Sequence, residues 1–292
     1  MPLMNPILSL SLPEIILDQP LRTWLQEDIG RGDWTTIGLG PLAQQPGQAI
    51  WVAKEAGVVA GLPIAARAFQ LLDASVTMDL GSGGGGGLRA RNDDSYSGRP
   101  LSALLMGERV ALNLAMRLSG IATATRQYVE CLADYPTQLV DTRKTTPGLR
   151  LLEKYATRVG GALNHRMGLD DAVMIKDNHI ALAGDIQTAV AQVRQANPYP
   201  LAVEVETSSV AQVKAALAAG IDIIMLDNMA LETMKVAVEI IRETNPQIKI
   251  EASGNVTLDT LRPIAATGVD FISSSAPITR APWLDLSMCM AG

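Results

Sequence analysis

From residue 138 onward, short apolar runs alternate with longer segments whose apolar residues recur every three or four positions. The short runs predict buried strands and the longer period predicts amphipathic helices. Strands are expected at Gln138–Asp141, Ala172–Ile175, Leu201–Glu206, Ile221–Leu226, Ile248–Ala252 and Asp270–Ser273. Helices are expected at Gly148–Val159, Asp185–Gln195, Val210–Ala219, Leu231–Glu243 and Leu258–Ala266. Strictly alternating elements predict parallel strands joined by crossover helices. Six or seven such units suit a barrel better than a short open sheet, although spacing alone leaves closure open.

Residues 1–105 have a less regular texture. A helix is expected near Leu21–Glu27, then a loop over Asp28–Asp33. Strands are expected at Gln48–Ala53 and Val58–Ala60, and a helix at Ile64–Leu72. Gly83–Gly87 is five consecutive glycines, which predicts a flexible surface loop because nothing there can pack. No phosphate-loop or dinucleotide fingerprint follows it. Residues 107–134 read as helix, with a break expected at Ser119-Gly120. The tail, Ala281–Gly292, carries Trp283, Leu284 and Leu286 outside the rhythm and is expected to pack back on the N-terminal region.

Composition narrows the class. The chain has 292 residues, 48% of them hydrophobic but only 4% aromatic, so small aliphatic side chains must fill its core. That palette suits helices lying close on a sheet. A net charge of −6 argues against a nucleic-acid binder. Two cysteines, Cys131 and Cys289, make neither a disulfide framework nor a zinc site, and a reducing, cytoplasmic location is expected. The stretch Met1–Leu21 lacks a basic start and is interrupted by Pro6, Pro13, Glu14, Asp18 and Pro20, so it is not read as a signal peptide. No segment reads as a membrane span.

The chemistry concentrates where α/β barrels keep it, at the C-terminal ends of the strands. There stand Asp141, Arg143 and Lys144; Lys176, Asp177, Asn178 and His179; Glu204 and Glu206; Asp227 and Asn228; Glu251, Ser253, Gly254 and Asn255; and Ser273, Ser274 and Ser275. Between residues 143 and 176 there are seven cations and three acids, a local excess of positive charge in an acidic chain. The acids Glu204, Glu206 and Asp227 follow on later strands. A mouth that is cationic on one side and anionic on the other suits a polyanionic ligand with a divalent cation. Arg150, Lys154 and Arg158 fall at helical spacing and are expected on a solvated helix face. Glu204 and Glu206 share a strand face, and if buried they need Lys176 or a metal as partner.

These strings resemble the quinolinate phosphoribosyltransferase family. The resemblance runs through Glu27–Asp33, Gly107–Asn113, Arg117–Thr123, Asp141–Arg150, Asn164–Arg166, Lys176–His179, Val203–Glu206, Leu226–Asn228 and Glu251–Gly254. It implies an N-terminal α/β sandwich, residues 1–118 with 278–292 packing back, and an incomplete seven-stranded α/β barrel over residues 119–277. It implies a homodimer, with assembly beyond the dimer left open, in which Arg109 is lent to the neighbouring subunit's site. By resemblance Arg143, His165 and Arg166 bind the quinolinate carboxylates. Lys144 and Lys176 face quinolinate and 5-phosphoribosyl 1-pyrophosphate, while Glu206 and Asp227 face the ribose and Mg²⁺. Ser253, Gly254, Ser274 and Ser275 complete the expected substrate contacts. No organic cofactor is expected. Two departures stand out. The segment before Gly107-Glu108-Arg109 lacks the family's usual turn, and Ser275 stands where the family often has a glycine that approaches phosphate. Its hydroxyl either adds a hydrogen bond or crowds the site.

Two other readings remain open from the residues. One is a related phosphoribosyltransferase of the same architecture acting on another ring, for which a monocarboxylate would need fewer cations. The other is a non-catalytic dimer that binds anionic metabolites, which would not need both the acids and the cations at the strand ends.

Overall fold

The computed structural model describes residues 12–78, 94–98 and 101–290. Its chain divides into two compact units, residues 1–123 with 281–292 and residues 124–280. Gly83–Gly87 lies outside the described residues.

The first unit contains α1 (Glu14–Ile29), α2 (Trp34–Leu39), β1 (Gly47–Ala53), α3 (Leu62–Leu72), β2 (Thr77–Met78), β3 (Asp94–Gly98) and most of α4 (Leu101–Cys131). Asp33 starts α2 by accepting the backbone N–H groups of Thr35 and Thr36, two donors that a helix start otherwise leaves unpaired. Arg67 of α3 grips Asp18 of α1 through both ends of its guanidinium fork, at 2.7 and 2.8 Å.

Two expectations change here. Val58–Ala60 is not a strand. Its backbone pairs with hydroxyls of α4 instead, Val58 N–H with Thr123 (2.8 Å) and Ala60 N–H with Ser119 (3.0 Å). Helix α4 also runs unbroken through Ser119-Gly120. The glycine serves close packing, since a Cβ at 120 would collide with the Pro282 carbonyl.

The second unit carries the rhythm. In chain order it contains β4 (Gln138–Val140), α5 (Arg150–Gly160), β5 (Val173–Ile175), α6 (Asp177–Ala183), α7 (Ile186–Ala196) and β6 (Val203–Thr207). There follow α8 (Val210–Ala218), β7 (Ile223–Asp227), α9 (Leu231–Thr244), β8 (Lys249–Ser253), α10 (Leu258–Ala265), β9 (Phe271–Ser273) and α11 (Ala276–Thr279). The six strands are parallel in the order β4-β9-β8-β7-β6-β5. Val140 makes one further parallel bridge to Leu163, the only trace of a seventh strand among the described residues. The barrel is therefore incomplete. The short helices α2, α6 and α11 have no apolar period long enough to announce them.

Strand parity places the site. Val203, Val205, Ile224, Leu226, Ile250, Ala252 and Ile272 pack outward with Val213, Ala216, Ala237, Ile241 and Leu261 of the helices. Burial of each large aliphatic side chain contributes roughly 1.5–3 kcal/mol. The alternate residues, Glu204, Glu206, Met225, Asp227, Glu251 and Ser253, therefore face inward. No helix among the described residues is long and apolar enough to cross a membrane.

The last strand, β10 (Leu286–Met290), returns to the first unit. It pairs antiparallel with β1, from Ala49 opposite Met290 to Ala53 opposite Leu286, and gives the sheet order β10-β1-β3-β2. The tail thus packs as the sequence leads one to expect.

Candidate active site

The inward residues of the second unit surround a cavity of about 700 Å³ at the C-terminal ends of the strands. Of the residues singled out by sequence, Arg143, Lys144, His165, Arg166, Lys176, Glu206, Asp227, Ser253, Gly254, Ser274 and Ser275 all line it. Arg109 does not. It is exposed on α4 in the first unit.

The cationic wall is held by a buried network. Asp141, at the end of β4, accepts from Lys154 Nζ (2.5 Å), Thr157 Oγ1 (2.9 Å), Asn164 Nδ2 (2.6 Å) and the His165 backbone N–H (2.9 Å). Lys154 Nζ also donates to the His165 carbonyl at 2.8 Å. Lys154 is fully buried, so the expectation of a solvated helix face fails for it. An α5 cation here is neutralised by a carboxylate from β4, the usual condition for burying a charge. Arg150 also turns inward, donating to Thr145 Oγ1 and the Met167 carbonyl, both at 3.1 Å. Glu153, likewise buried, accepts from the Thr146 N–H (2.8 Å) and hydroxyl (2.9 Å), which fixes the loop that follows Arg143 and Lys144.

Two guanidinium groups converge on the cavity. Arg166 donates to the Ala172 carbonyl at 2.8 Å. Its pKa is lowered, first by burial and then by the positive charge of Arg143. Arg143 has a buried Nη1 with no hydrogen-bond partner. Like charges brought together with a donor left unpaired call for an anion between them. On the opposite side Lys176 pairs with Glu206, as strand parity led one to expect. Asp227 accepts from the Asn228 side chain at 2.8 Å. Asn228 (φ 51°) and Asn255 (φ 47°) are both left-handed, and their side chains join at 3.2 Å. Gly254 (φ +101°) sits against Asn228, where a Cβ would collide with the amide. Glycine is therefore required at 254. Ser275, with φ −89°, needs no glycine conformation. Ser274 and the partnerless Ser273 Oγ are buried beside it.

The sequence places Glu204 and Glu251 at strand ends but gives neither a substrate or metal role. Both are buried, on β6 and β8, and both approach His165 Nε2, at 3.2 and 3.4 Å. Burial works to lower the His165 pKa. Hydrogen bonds to the two carboxylates and their negative charge outweigh it and push the value up to about 10. Burial raises the Glu204 pKa, opposed by its hydrogen bond to His165.

His165, Glu204 and Glu251 bring three ligand atoms within 4.8 Å of one another. They do not fit a metal in this arrangement. His165 Nδ1 accepts the Arg166 N–H at 2.8 Å; the second ring proton that the two carboxylates favour costs that hydrogen bond, and in either state Nε2 carries a proton. Nε2–H then donates to the carboxylates and has no lone pair for a cation. Glu206 and Asp227, in contrast, offer oxygen donors on one side of the cavity, a set suited to Mg²⁺.

An α/β barrel with a polar cavity at its strand ends, two converging arginines and facing carboxylates is the site of an enzyme acting on a polyanion. Comparison with known proteins narrows the class. The family described as quinolinate phosphoribosyl transferase, C-terminal domain, matches residues 121–289. A Synechocystis protein named probable nicotinate-nucleotide pyrophosphorylase (carboxylating) is 64% identical over 276 residues, 94% of this chain and 93% of its own. The human nicotinate-nucleotide pyrophosphorylase (carboxylating) is 39% identical over 283 residues, 96% of this chain and 94% of its own. The crystal structure of NadC from Streptococcus pyogenes superposes with a TM-score of 0.90 at 42% identity, covering 96% of this chain and 98% of that one. The chain belongs to the quinolinate phosphoribosyltransferase family.

Proposed function

We propose that this cavity joins quinolinate to 5-phosphoribosyl 1-pyrophosphate, releasing pyrophosphate and CO₂ and leaving nicotinate mononucleotide. The family and the names of the relatives support the reaction. The observation that carries the substrate is the pair Arg143 and Arg166, with its unpaired buried donor. Adjacent carboxylates on one ring suit two planar guanidinium forks.

In this reading Arg143 and Arg166 fix the two carboxylates and so set the ring nitrogen in line with C1 of the ribose. Alignment of nucleophile and electrophile is the main contribution. The nitrogen displaces pyrophosphate at C1. The adjacent positive nitrogen of the pyridinium stabilises the electron pair left on C2 when the 2-carboxylate departs as CO₂, and a proton from water then fills C2, so no organic cofactor is needed. Lys144 and Lys176 draw the phosphates and stabilise the leaving pyrophosphate. Glu206 and Asp227 face the ribose, where negative charge favours the positive charge that develops at C1. They would also hold Mg²⁺, directly or through water, and when bound it adds positive charge at the leaving group. Ser253, Gly254, Ser274 and Ser275 offer backbone and hydroxyl donors to phosphate. Arg109 completes the site of a second copy of this chain in a homodimer. The free thiols Cys131 and Cys289 fit a reducing, cytoplasmic compartment.

The test uses quinolinate labelled in its 2-carboxylate, with 5-phosphoribosyl 1-pyrophosphate and Mg²⁺. Labelled CO₂ and nicotinate mononucleotide should appear together, and nicotinate should give no product. Arg143→Ala should remove turnover and leave the fold intact. Wild-type-like turnover in that variant, or product from nicotinate, would overturn the reading.

A further inference from the structure

Two non-glycine residues among those described hold a left-handed backbone, Asn228 (φ 51°) and Asn255 (φ 47°). Both line the cavity, the first just past β7 and the second just past β8. Such a backbone is costly for a residue with a Cβ, and it persists where the surroundings hold it. Asparagine tolerates it better than most residues, and glycine adopts it freely.

The contacts of the two residues form a chain. Asn255 Nδ2 donates to Asn228 Oδ1 at 3.2 Å, and Asn228 Nδ2 donates to Asp227 Oδ2 at 2.8 Å. The two bonds agree on which end of the Asn228 amide is the donor. The Asn228 backbone N–H reaches the Ser253 carbonyl at 2.9 Å. Gly254 lies against the same amide and leaves no room for a Cβ. One oxygen of Asp227 is thus committed to the protein.

We infer that Asn228 and Asn255 are positioning residues for the phosphoribosyl donor: they tie Asp227, which faces the ribose, to the Ser253–Asn255 turn, which faces phosphate. Two parts of one ligand then meet groups held in fixed register. This rests on reading the cavity as the site of 5-phosphoribosyl 1-pyrophosphate.

Plain turn residues would not need the amides. Glycine serves a left-handed turn without strain, and the turn already uses it at Gly254 (φ +101°). What glycine lacks is the chain of hydrogen bonds to Asp227. Asn228 and Asn255 are also exposed, so in the free protein water competes for both bonds and they add little to stability. A bound donor covers them. A hydrogen bond to a carboxylate strengthens when water is excluded, so the relay contributes to binding rather than to folding.

The test replaces each asparagine by glycine, which keeps the backbone and removes the amide. Both variants should melt within a few degrees of the wild type, since relief of strain offsets the added freedom of the unfolded chain. Isothermal titration of the full chain with 5-phosphoribosyl 1-pyrophosphate and Mg²⁺ measures donor binding. Saturating benzene-1,2-dicarboxylate stands in for quinolinate there, and it cannot react because it lacks the ring nitrogen. Kd for the donor should rise about tenfold or more in Asn228→Gly, and by less in Asn255→Gly. The double variant should bind no more weakly than Asn228→Gly alone, because the outer bond acts through the inner one. In steady-state kinetics KM for quinolinate should stay within about twofold of wild type in all three.

Wild-type donor binding in both single variants would make the asparagines plain turn residues and overturn the inference, with the proposed reaction untouched. Equal losses for donor and quinolinate would overturn it too, as a general disturbance of the cavity. If Asn228→Gly melts far below the wild type, Asn255→Gly decides by the same titration: a raised Kd upholds the relay and an unchanged one overturns it. If the wild type makes no product from quinolinate and the donor, the proposed reaction falls and the relay falls with it.

Discussion

Arg143 and Ser275 show how single residues set the site's selectivity. Arg143 carries a buried guanidinium N–H without a partner, and a lysine at that position keeps the charge but not the fork. Arg143→Lys should therefore raise KM for quinolinate by roughly tenfold or more, while KM for the phosphoribosyl donor stays near wild type. Steady-state kinetics with each substrate varied in turn checks this. Ser275 has a right-handed backbone and a side chain on the cavity. Ser275→Gly should cost about 0.5–1 kcal/mol of stability, since glycine brings extra freedom to the unfolded chain. If its hydroxyl donates to phosphate, the same change raises KM for 5-phosphoribosyl 1-pyrophosphate and leaves that for quinolinate alone. A lower KM would mean that the hydroxyl crowds the site.

At the scale of elements, the packing of α5 against β4 turns on one buried ion pair, Lys154 with Asp141. Removing one partner strands the other charge, so Lys154→Met should destabilise the fold by about 3–5 kcal/mol. Replacing both, as Lys154→Met with Asp141→Leu, removes the stranded charge but leaves the His165 N–H without its acceptor, while Asn164 and Thr157 lose one acceptor and keep the Lys154 carbonyl. The double variant should recover only part of the loss in urea unfolding. This pair also shows what a sequence conceals. Helical spacing located α5 correctly, but a lysine at that spacing reads as solvated. Its burial depends on an acid that precedes it by 13 residues on another element. The same limit hid the partners of Glu204. Strand parity put Glu204 and Glu206 on one inner face, and Lys176 was a visible partner for the second. His165 and Glu251 reach Glu204 from a loop and from β8, and no local pattern links them. The alternation after residue 138 was legible because each strand and helix there buries a continuous apolar face. Val58–Ala60 misled because its β-like residues satisfy their backbone with Ser119 and Thr123 rather than with a strand.

For the whole molecule, chain segments distant in sequence complete both the first unit and, in the proposed dimer, the site. The tail supplies β10 along the edge of β1 and buries Leu284 and Leu286. A chain ending at Arg280 would expose that edge and lose both anchors, so it should melt at lower temperature and aggregate, as unpaired edges do. Light scattering during a thermal ramp reads both effects. The dimer is tested by complementation between two dead variants. Arg109 is exposed on α4 and absent from the cavity lining, whereas Arg143 lines it. If each site takes Arg143 from one copy and Arg109 from the other, Arg109→Ala and Arg143→Ala should each be inactive alone. A mixed dimer then has one site with both arginines and one with neither. Unfolding, mixing and refolding equal amounts gives half mixed dimers, so activity should return to about a quarter of wild type. An Arg109 that served its own copy's site would leave every site in the mixture one arginine short, and no activity would return.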